Sequence, residues 1–445
     1  MWKYFVARSC SGATACKSIC KRMGCVNSMY EKIRKCRICG STELVPVVDL
    51  GEQYLTGLFP REKSPRTLTK GPLRLVKCYG GDDVCGLLQL EHSYNLDELY
   101  GENYGYRSGL NASMVRHLHG KVERIQGIVD MRAGDLVVDI GSNDGTTLGA
   151  YHDNLLLVGF DPTGEKFRRY YASHINLISD FFSAGRLTQA FPGRKAKVVT
   201  SFSMFYDLES PMDFALEVAS VLDPDEGIWV FEQSYMPLML ERNAYDTICH
   251  EHLEYYGLKQ IVWLAERVGL KIVDVELNNV NGGSFSVVVA LPSSRHANSH
   301  GIISRMLADE EAAGLSGLAP YHAFFDRIEQ SRRSLQEFVA DVHREGKRLC
   351  GLGASTKGNV LLQYCGFNSD DIDAIGDVNP DKFGAITPGT WIPIEDESKV
   401  LAASPDYLLV LPWHFRDFFL RNQALTGRSL VFPLPQLEVI IPQRQ

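Results

Sequence analysis

An apolar run that closes on an aspartate and turns at once through glycine, DLVVDIGSNDGTTL, restricts the middle of this chain to a strand, a tight turn and a helix. The run ends at Asp139. Gly141 and Gly145 then bracket Ser142, Asn143 and Asp144, so the backbone can approach a ligand closely while the next helix N-terminus favours a carboxylate or phosphate. A second run, LLLVGFD, ends at Asp161 roughly twenty residues later, the distance at which an acidic side chain can take both hydroxyls of an adenosine ribose. GSNDG departs from the GxGxxG pattern of nicotinamide enzymes, which weighs against an oxidoreductase. A helix-like segment over 113–130 leads into this unit, and the strand-like runs KVVTSFSMFYDL and GIWVFEQSY flank the helix-compatible PMDFALEVASVL. Such alternation predicts an α/β fold with a helix-covered parallel sheet, whose ligands sit at the strand carboxyl ends. Asp161, Ser203 and Glu232 can face one crevice there. Asp180, Phe181 and Phe182 form another candidate patch, in which the acid can accept an adenine amino hydrogen and a phenyl group can pack on the base, with a buried aromatic pair beside a turn as the bland reading.

The 445 residues carry 46 Lys+Arg against 54 Asp+Glu, a formal charge of −8, which argues against nucleic acid or an anionic membrane as partner. The start, MWKYFVARSCSG, lacks a long apolar core and no stretch offers 18 uninterrupted apolar residues, so the expectation is a cytoplasmic chain, neither exported nor membrane-spanning. In that setting cysteines are thiols or metal ligands more naturally than disulfides. Six of the 11 fall within the first 40 residues. Cys36 and Cys39 form KCRICG, a chelating pair over a glycine turn, and Cys78 and Cys85 can complete a tetrahedral zinc site, although six residues separate the second pair. Unligated thiols are the alternative. Cys10, Cys16, Cys20 and Cys25 lie in a leader, residues 1–30, to which no role is assigned.

YDTICHEHLEYYGL concentrates acid–base groups: Asp246, His250, Glu251, His252 and Glu254 among tyrosines. His250 and His252 are two apart, not the spacing of HExxH, so proton transfer fits them better than metal binding, with helix capping and core hydrogen bonds as the bland reading. NGGS, Asn281 to Ser284, sits between strand-like runs, and residues 302–348 read mainly helical. LCGLGASTKGN then repeats strand, glycine turn and helix, with Lys357 as a countercharge for phosphate; no Ser or Thr follows the lysine, so it is not a Walker A loop. AIGDVNPDKFG and DYLLVLPWHF complete a second α/β unit over 325–445.

Taken in order, KCRIC with its later cysteine pair, DIGSNDGT, YDTICHEHLEYY, NGGS, GLGASTKGN and DVNPDKFGAITPGTWIPI resemble the sugar C-methyltransferases over roughly residues 36–440. The resemblance implies an N-terminal zinc-binding domain, a central class I methyltransferase Rossmann-like domain and a C-terminal Rossmann-like domain that helps hold a nucleotide-linked sugar. On this chain these become 31–95, 96–300 and 325–445, with a helical linker over 301–324. The implied cofactors are S-adenosylmethionine and Zn2+. Asp139, Gly141, Asn143, Asp161, Asp180, Phe181 and Ser203 form the candidate cofactor site; Glu251 and His252 match the family's catalytic pair, with His252 as the base that removes a sugar proton beside a keto group. Tyr104 or Tyr106 falls near a tyrosine that contacts the sugar, and Lys357, Asn359, Asn379 and Lys382 are the candidate substrate-holding residues. The chain departs from the family at Cys249, where relatives tend to carry tyrosine, and at Asp207, where they tend to carry histidine. The implied activity is C-methylation of a nucleotide-linked keto-deoxy sugar, the alternatives being O- or N-methylation or a noncatalytic binding protein. Nothing in the sequence fixes the oligomeric state.

Overall fold

The structure, a computed structural model, describes residues 29–63, 68–81, 83–99 and 106–442. Tyr104 and the four leader cysteines lie outside these residues.

Five strands open the chain: β1 (Tyr30–Lys32), β2 (Leu44–Tyr54), β3 (Lys70–Cys78), β4 (Leu88–Leu90) and β5 (His92–Tyr94). The central region follows with β6 (Leu136–Ile140), β7 (Leu156–Phe160), β8 (Asn176–Ile178), β9 (Ala196–Phe202), β10 (Ile228–Ser234), the two-residue β11 (Glu254–Tyr255), β12 (Lys271–Asn278) and β13 (Ser284–Ala290). The last region adds β14 (Leu349–Leu352), β15 (Ile375–Asp377), β16 (Ile394–Asp396), β17 (Tyr407–Val410), β18 (Ser429–Phe432) and β19 (Glu438–Ile440).

The central seven-stranded sheet has the order β12-β13-β10-β9-β6-β7-β8, parallel except for the antiparallel pairs that β13 makes with β10 and β12. All of β6 is buried, as a parallel strand covered on both faces must be. Its alternate residues serve opposite layers. Leu136, Val138 and Ile140 pack with Val218 and Val221 of the helix Pro211–Val221 and Ile261 and Leu264 of the helix Leu258–Val268; Val137 packs with Val122 and Ile125 of the helix Ala112–Ile128. The chain leaves β6 toward β7 on one side and returns through β9 on the other, which opens a crevice at the carboxyl end of β6.

The C-terminal sheet repeats the device in the order β16-β15-β14-β17-β18-β19, with only β19 antiparallel, so β14 is its switch point. The helix Ala319–Arg344 buries one stripe (Tyr321, Phe324, Ile328, Leu335, Val339, Val342) and runs unbroken past residue 325. The N-terminal region is an antiparallel sheet, β11-β4-β3-β2, whose edge strand β11 is lent by the central region. One apolar core is accordingly shared: Leu75 and Leu90 from this sheet, Tyr245 and Leu253 from the HEH segment, and Leu352 and Leu409 from the C-terminal sheet belong to a single cluster. No helix among the described residues is long and apolar enough to cross a membrane.

Candidate active site

A cavity of about 230 Å³ occupies the switch point of the central sheet. Its lining includes all seven candidate cofactor residues, Asp139, Gly141, Asn143, Asp161, Asp180, Phe181 and Ser203, together with Tyr106. The turn is strained in the expected way. Gly141 takes φ 74°, and a Cβ there would come within 3.2 Å of Met204 Cγ; Asn143 and Ser203 hold positive φ without being glycine. Asp161 anchors this turn: one carboxylate oxygen accepts the Asn143 N–H at 2.8 Å, and the other accepts the N–H and hydroxyl of Thr163. Three donors leave about one of its four lone-pair sites for a ribose hydroxyl, fewer than a chelate of both hydroxyls needs. Asp139 accepts the Thr200 hydroxyl at 2.6 Å, and burial raises its pKa to about 7. Asp180 pairs with Arg186 at 2.6 Å, and Phe181 is exposed at the rim. A polar floor of carboxylates beneath an apolar wall of Phe182, Met204, Leu208 and Phe214 suits S-adenosylmethionine, a cation with a nucleoside at one end.

Glu232 is a correction. Expected in the same crevice, it is turned away into a buried cluster, accepting from His117, Lys121 and Asn278. Burial pushes its carboxyl up, but His117 and Lys121 together outweigh it and hold the carboxyl below the usual range.

The HEH segment has little regular structure. Tyr245–Thr247 forms one 3-10 turn, and the chain then extends into β11 along β4, with Glu254 opposite Gln89. His252 Nδ1 lies 2.8 Å from the Thr247 carbonyl, so Nδ1 carries the proton and the lone pair is left on Nε2. Its ring packs edge-on to Tyr206 at 4.4 Å, and Tyr206 is followed by Asp207 and Leu208 in the cavity lining. Burial, with Lys357 nearby, lowers the His252 pKa to about 4, so the imidazole is neutral near pH 7. Glu251 reaches the N-terminal sheet's loop: a Cβ on Gly57 would lie 2.1 Å from its Oε1. Burial raises the Glu251 carboxyl. Cys249 is fully buried, its thiol pushed up by burial and then by Glu251. His250 is also fully buried, packed edge-on to Tyr94 at 4.7 Å, and forms part of the core beside Glu251 and His252.

The candidate substrate residues gather at the carboxyl ends of β14 and β15. Lys357 Nζ donates to the Asn281 carbonyl at 2.7 Å, which places the GASTKGN turn against NGGS, and burial lowers its pKa while Asp246 opposes that shift. Asn359 donates to the Thr56 carbonyl at 2.7 Å, tying the helix Thr356–Cys365 to the N-terminal region. Asn379 caps a 3-10 turn by accepting the Asp381 N–H. Lys382 donates to the Ala354 carbonyl at 2.7 Å and lies 3.4 Å from Asp377.

The cysteines converge. Sγ atoms of Cys36, Cys39, Cys78 and Cys85 all lie within 4.8 Å of one another, with Cys36–Cys85 at 3.5 Å and Cys39–Cys78 at 3.4 Å. Bonds of about 2.3 Å to a central zinc fit that spacing. The six-residue gap is absorbed because Cys78 ends β3 and Cys85 stands before β4, across the turn between them. The Leu87 N–H points at Cys85 Sγ at 3.4 Å.

Sequence reasoning did not single out three participants. Tyr171 donates to the Asn143 carbonyl and shares a hydrogen bond with Ser142, both at 2.8 Å, so it clamps the cofactor turn. Trp413 donates to Asp246 at 2.8 Å across 167 residues. Tyr206 packs on His252 and is followed in the chain by Asp207 and Leu208, which line the cavity. No local spacing signals any of them.

Comparison with known proteins divides the chain in the same order. A zinc binding domain model matches residues 36–100, a methyltransferase domain model 116–275, and a C-methyltransferase C-terminal domain model 279–435. The C-methyltransferase NovU of Streptomyces niveus is 31% identical over 422 residues, covering 93% of this chain and 99% of its own length. Two solved structures overlap 40% of this chain each: an S-adenosylmethionine-dependent methyltransferase of Clostridium acetobutylicum (12% identity, 92% of its length, TM-score 0.31) and the N-methyltransferase NodS of Bradyrhizobium japonicum (14% identity, 87% of its length, TM-score 0.30).

Proposed function

We propose that this chain, which belongs to the S-adenosylmethionine-dependent C-methyltransferase family and carries its zinc-binding domain, methylates a carbon beside the keto group of a nucleotide-linked deoxy sugar. The observation that carries the reading is the state of His252: a neutral imidazole with Nδ1–H fixed on the Thr247 carbonyl and its ring packed on Tyr206, whose next two residues, Asp207 and Leu208, line the cofactor cavity. S-adenosylmethionine supplies an electrophilic methyl group when bound. Everything else falls to the protein. His252 Nε2 accepts the proton from the carbon next to the keto group, and the charge that develops on the keto oxygen needs a donor or cation close by. Lys357 is a cation near enough to depress the His252 pKa, held on the Asn281 carbonyl and opposed in charge by Asp246. Glu251 lies where the HEH segment meets Gly57 and Thr356. Orientation of the bound substrate supplies the remainder.

A mass-shift screen of the protein with S-adenosylmethionine and a panel of nucleotide-linked keto sugars tests the substrate class. For a panel member that gains a methyl group, His252→Asn should lower turnover by about 10²- to 10⁴-fold, the usual worth of a positioned base. Calorimetric affinity for S-adenosylmethionine should stay within twofold. Wild-type turnover in that variant removes His252 as the base, and a panel with no methylated member removes the sugar reading.

A further inference from the structure

The side chain of Arg37, the residue following the first zinc ligand, leaves the knuckle and enters the catalytic region. It is only 2% exposed. Its guanidinium donates to the Leu90 carbonyl at 2.7 Å and to the Ser93 hydroxyl at 2.9 Å. Nε lies 3.5 Å from Glu209 and 3.7 Å from Glu254. The Arg37 N–H donates to the Gln89 side chain at 3.1 Å. The two carboxylates belong to the two segments that hold the base. Glu254 opens β11, two residues after His252; Glu209 stands two residues after Asp207 in the loop whose Tyr206 packs on the His252 ring. These segments are also joined directly, since the Leu253 N–H donates to the Tyr206 carbonyl at 2.8 Å and Leu90 N–H donates to the Leu253 carbonyl at 2.8 Å.

Two chelating cysteines need no such side chain between them. An exposed lysine or arginine in a zinc knuckle ordinarily points to water, whereas this one is desolvated and spreads its rigid fork over four acceptors from three segments. The knuckle fixes the Arg37 backbone, and β3 and β4, which carry or follow the other ligands, form the surface on which β11 is laid.

We infer that Arg37 is a positioning residue for methyl transfer, holding β11 and the 205–209 loop against the zinc knuckle so that His252 stays buried on Tyr206, next to the residues that line the cofactor cavity. The inference rests on the reading of His252 as the base. It assigns the metal-binding domain a share in the reaction: the metal orders the residue that orders the base.

The test reads His252 itself. Protein labelled with ¹³C-histidine is titrated by NMR, the His252 signal being identified by its absence in His252→Asn. In the zinc-loaded wild type its pKa should be about 4, because the ring is buried. In Arg37→Gln the loosened segments admit water, so the pKa should rise toward the ordinary 6.5, while zinc content by elemental analysis and calorimetric affinity for S-adenosylmethionine stay at wild-type levels. Arg37→Lys keeps one charge but loses the fork, and should fall between the two. Glu254→Ala removes the same contact away from the cysteines and should shift His252 in the same direction, which decides the matter should Arg37→Gln not fold. An unchanged His252 titration in zinc-loaded Arg37→Gln overturns the inference, as does loss of zinc from that variant, which would assign Arg37 to the metal site alone. Failure of the base reading is seen separately, as turnover surviving in His252→Asn.

Discussion

Asp161 shows what a single side chain is asked to do here. With three donors already on its carboxylate, it builds the turn that shapes the cofactor cavity and has room for about one further hydrogen bond. Asp161→Ala should therefore weaken S-adenosylmethionine binding by about 10- to 100-fold, through the lost acceptor and the released Asn143 N–H together. Calorimetry checks this, and unchanged affinity would take Asp161 out of the cofactor site. His250 gives a different residue-scale expectation. Burial lowers its pKa to about 3, with the backbone of Gly71 and Gln53 offsetting only part of the penalty. The folded state thus keeps His250 neutral while the unfolded chain takes up a proton below about 6.5, so its contribution is complete above that pH and is lost as pH falls toward 3. Denaturant melts across that window should show the wild type losing about 1.4 kcal/mol per pH unit more than His250→Phe. Parallel pH dependences would contradict a neutral buried His250.

At the scale of elements, what could be read in the sequence was what neighbours decide. The strand through Asp139, its glycine turn and the second strand ending before Asp161 are set by residue types a few positions apart and are present. The first strand runs one residue further, however, to Ile140, and the helix expected after the turn is only the 3-10 turn Leu148–Ala150, so turn backbone and not a helix N-terminus borders the cavity there. The Cys36–Cys39 pair was legible for the same reason. The HEH segment reads as an acid–base cluster but carries no period, and it acquires its shape from β4, to which β11 adds as an edge strand. The Trp413–Asp246 hydrogen bond and the reach of Arg37 to Glu254 join segments far apart in sequence, so no pattern within either segment encodes them. Glu232 was misread because its strand position suits a ligand crevice, whereas its partners arrive from the helix Ala112–Ile128 and from Asn278. Asn359 is the element-scale test. It fixes the start of the helix Thr356–Cys365 to the Thr56 carbonyl and is 1% exposed, so Asn359→Ala should cost about 1–3 kcal/mol in denaturant melts. A variant as stable as the wild type would show that this clamp contributes nothing to docking the C-terminal sheet.

Over the whole molecule, two largely parallel sheets, each with its own switch point, and a four-cysteine domain meet at the short irregular HEH segment, which contributes to the core that the three regions share. The first switch point holds the cofactor cavity. The second gathers Lys357, Asn359, Asn379 and Lys382, of which Lys357 comes nearest in influence to His252. The shared apolar core joins the three regions around the HEH segment, so the proposed chemistry draws on residues from all of them. The bond formed is the most direct test of that account. A panel sugar methylated from S-adenosylmethionine bearing a ¹³C-methyl group should give a product whose labelled methyl shows one-bond carbon–carbon coupling to the sugar ring and long-range correlations to its neighbours. A labelled methyl attached through oxygen or nitrogen, with no carbon–carbon coupling, would contradict C-methylation on this chain.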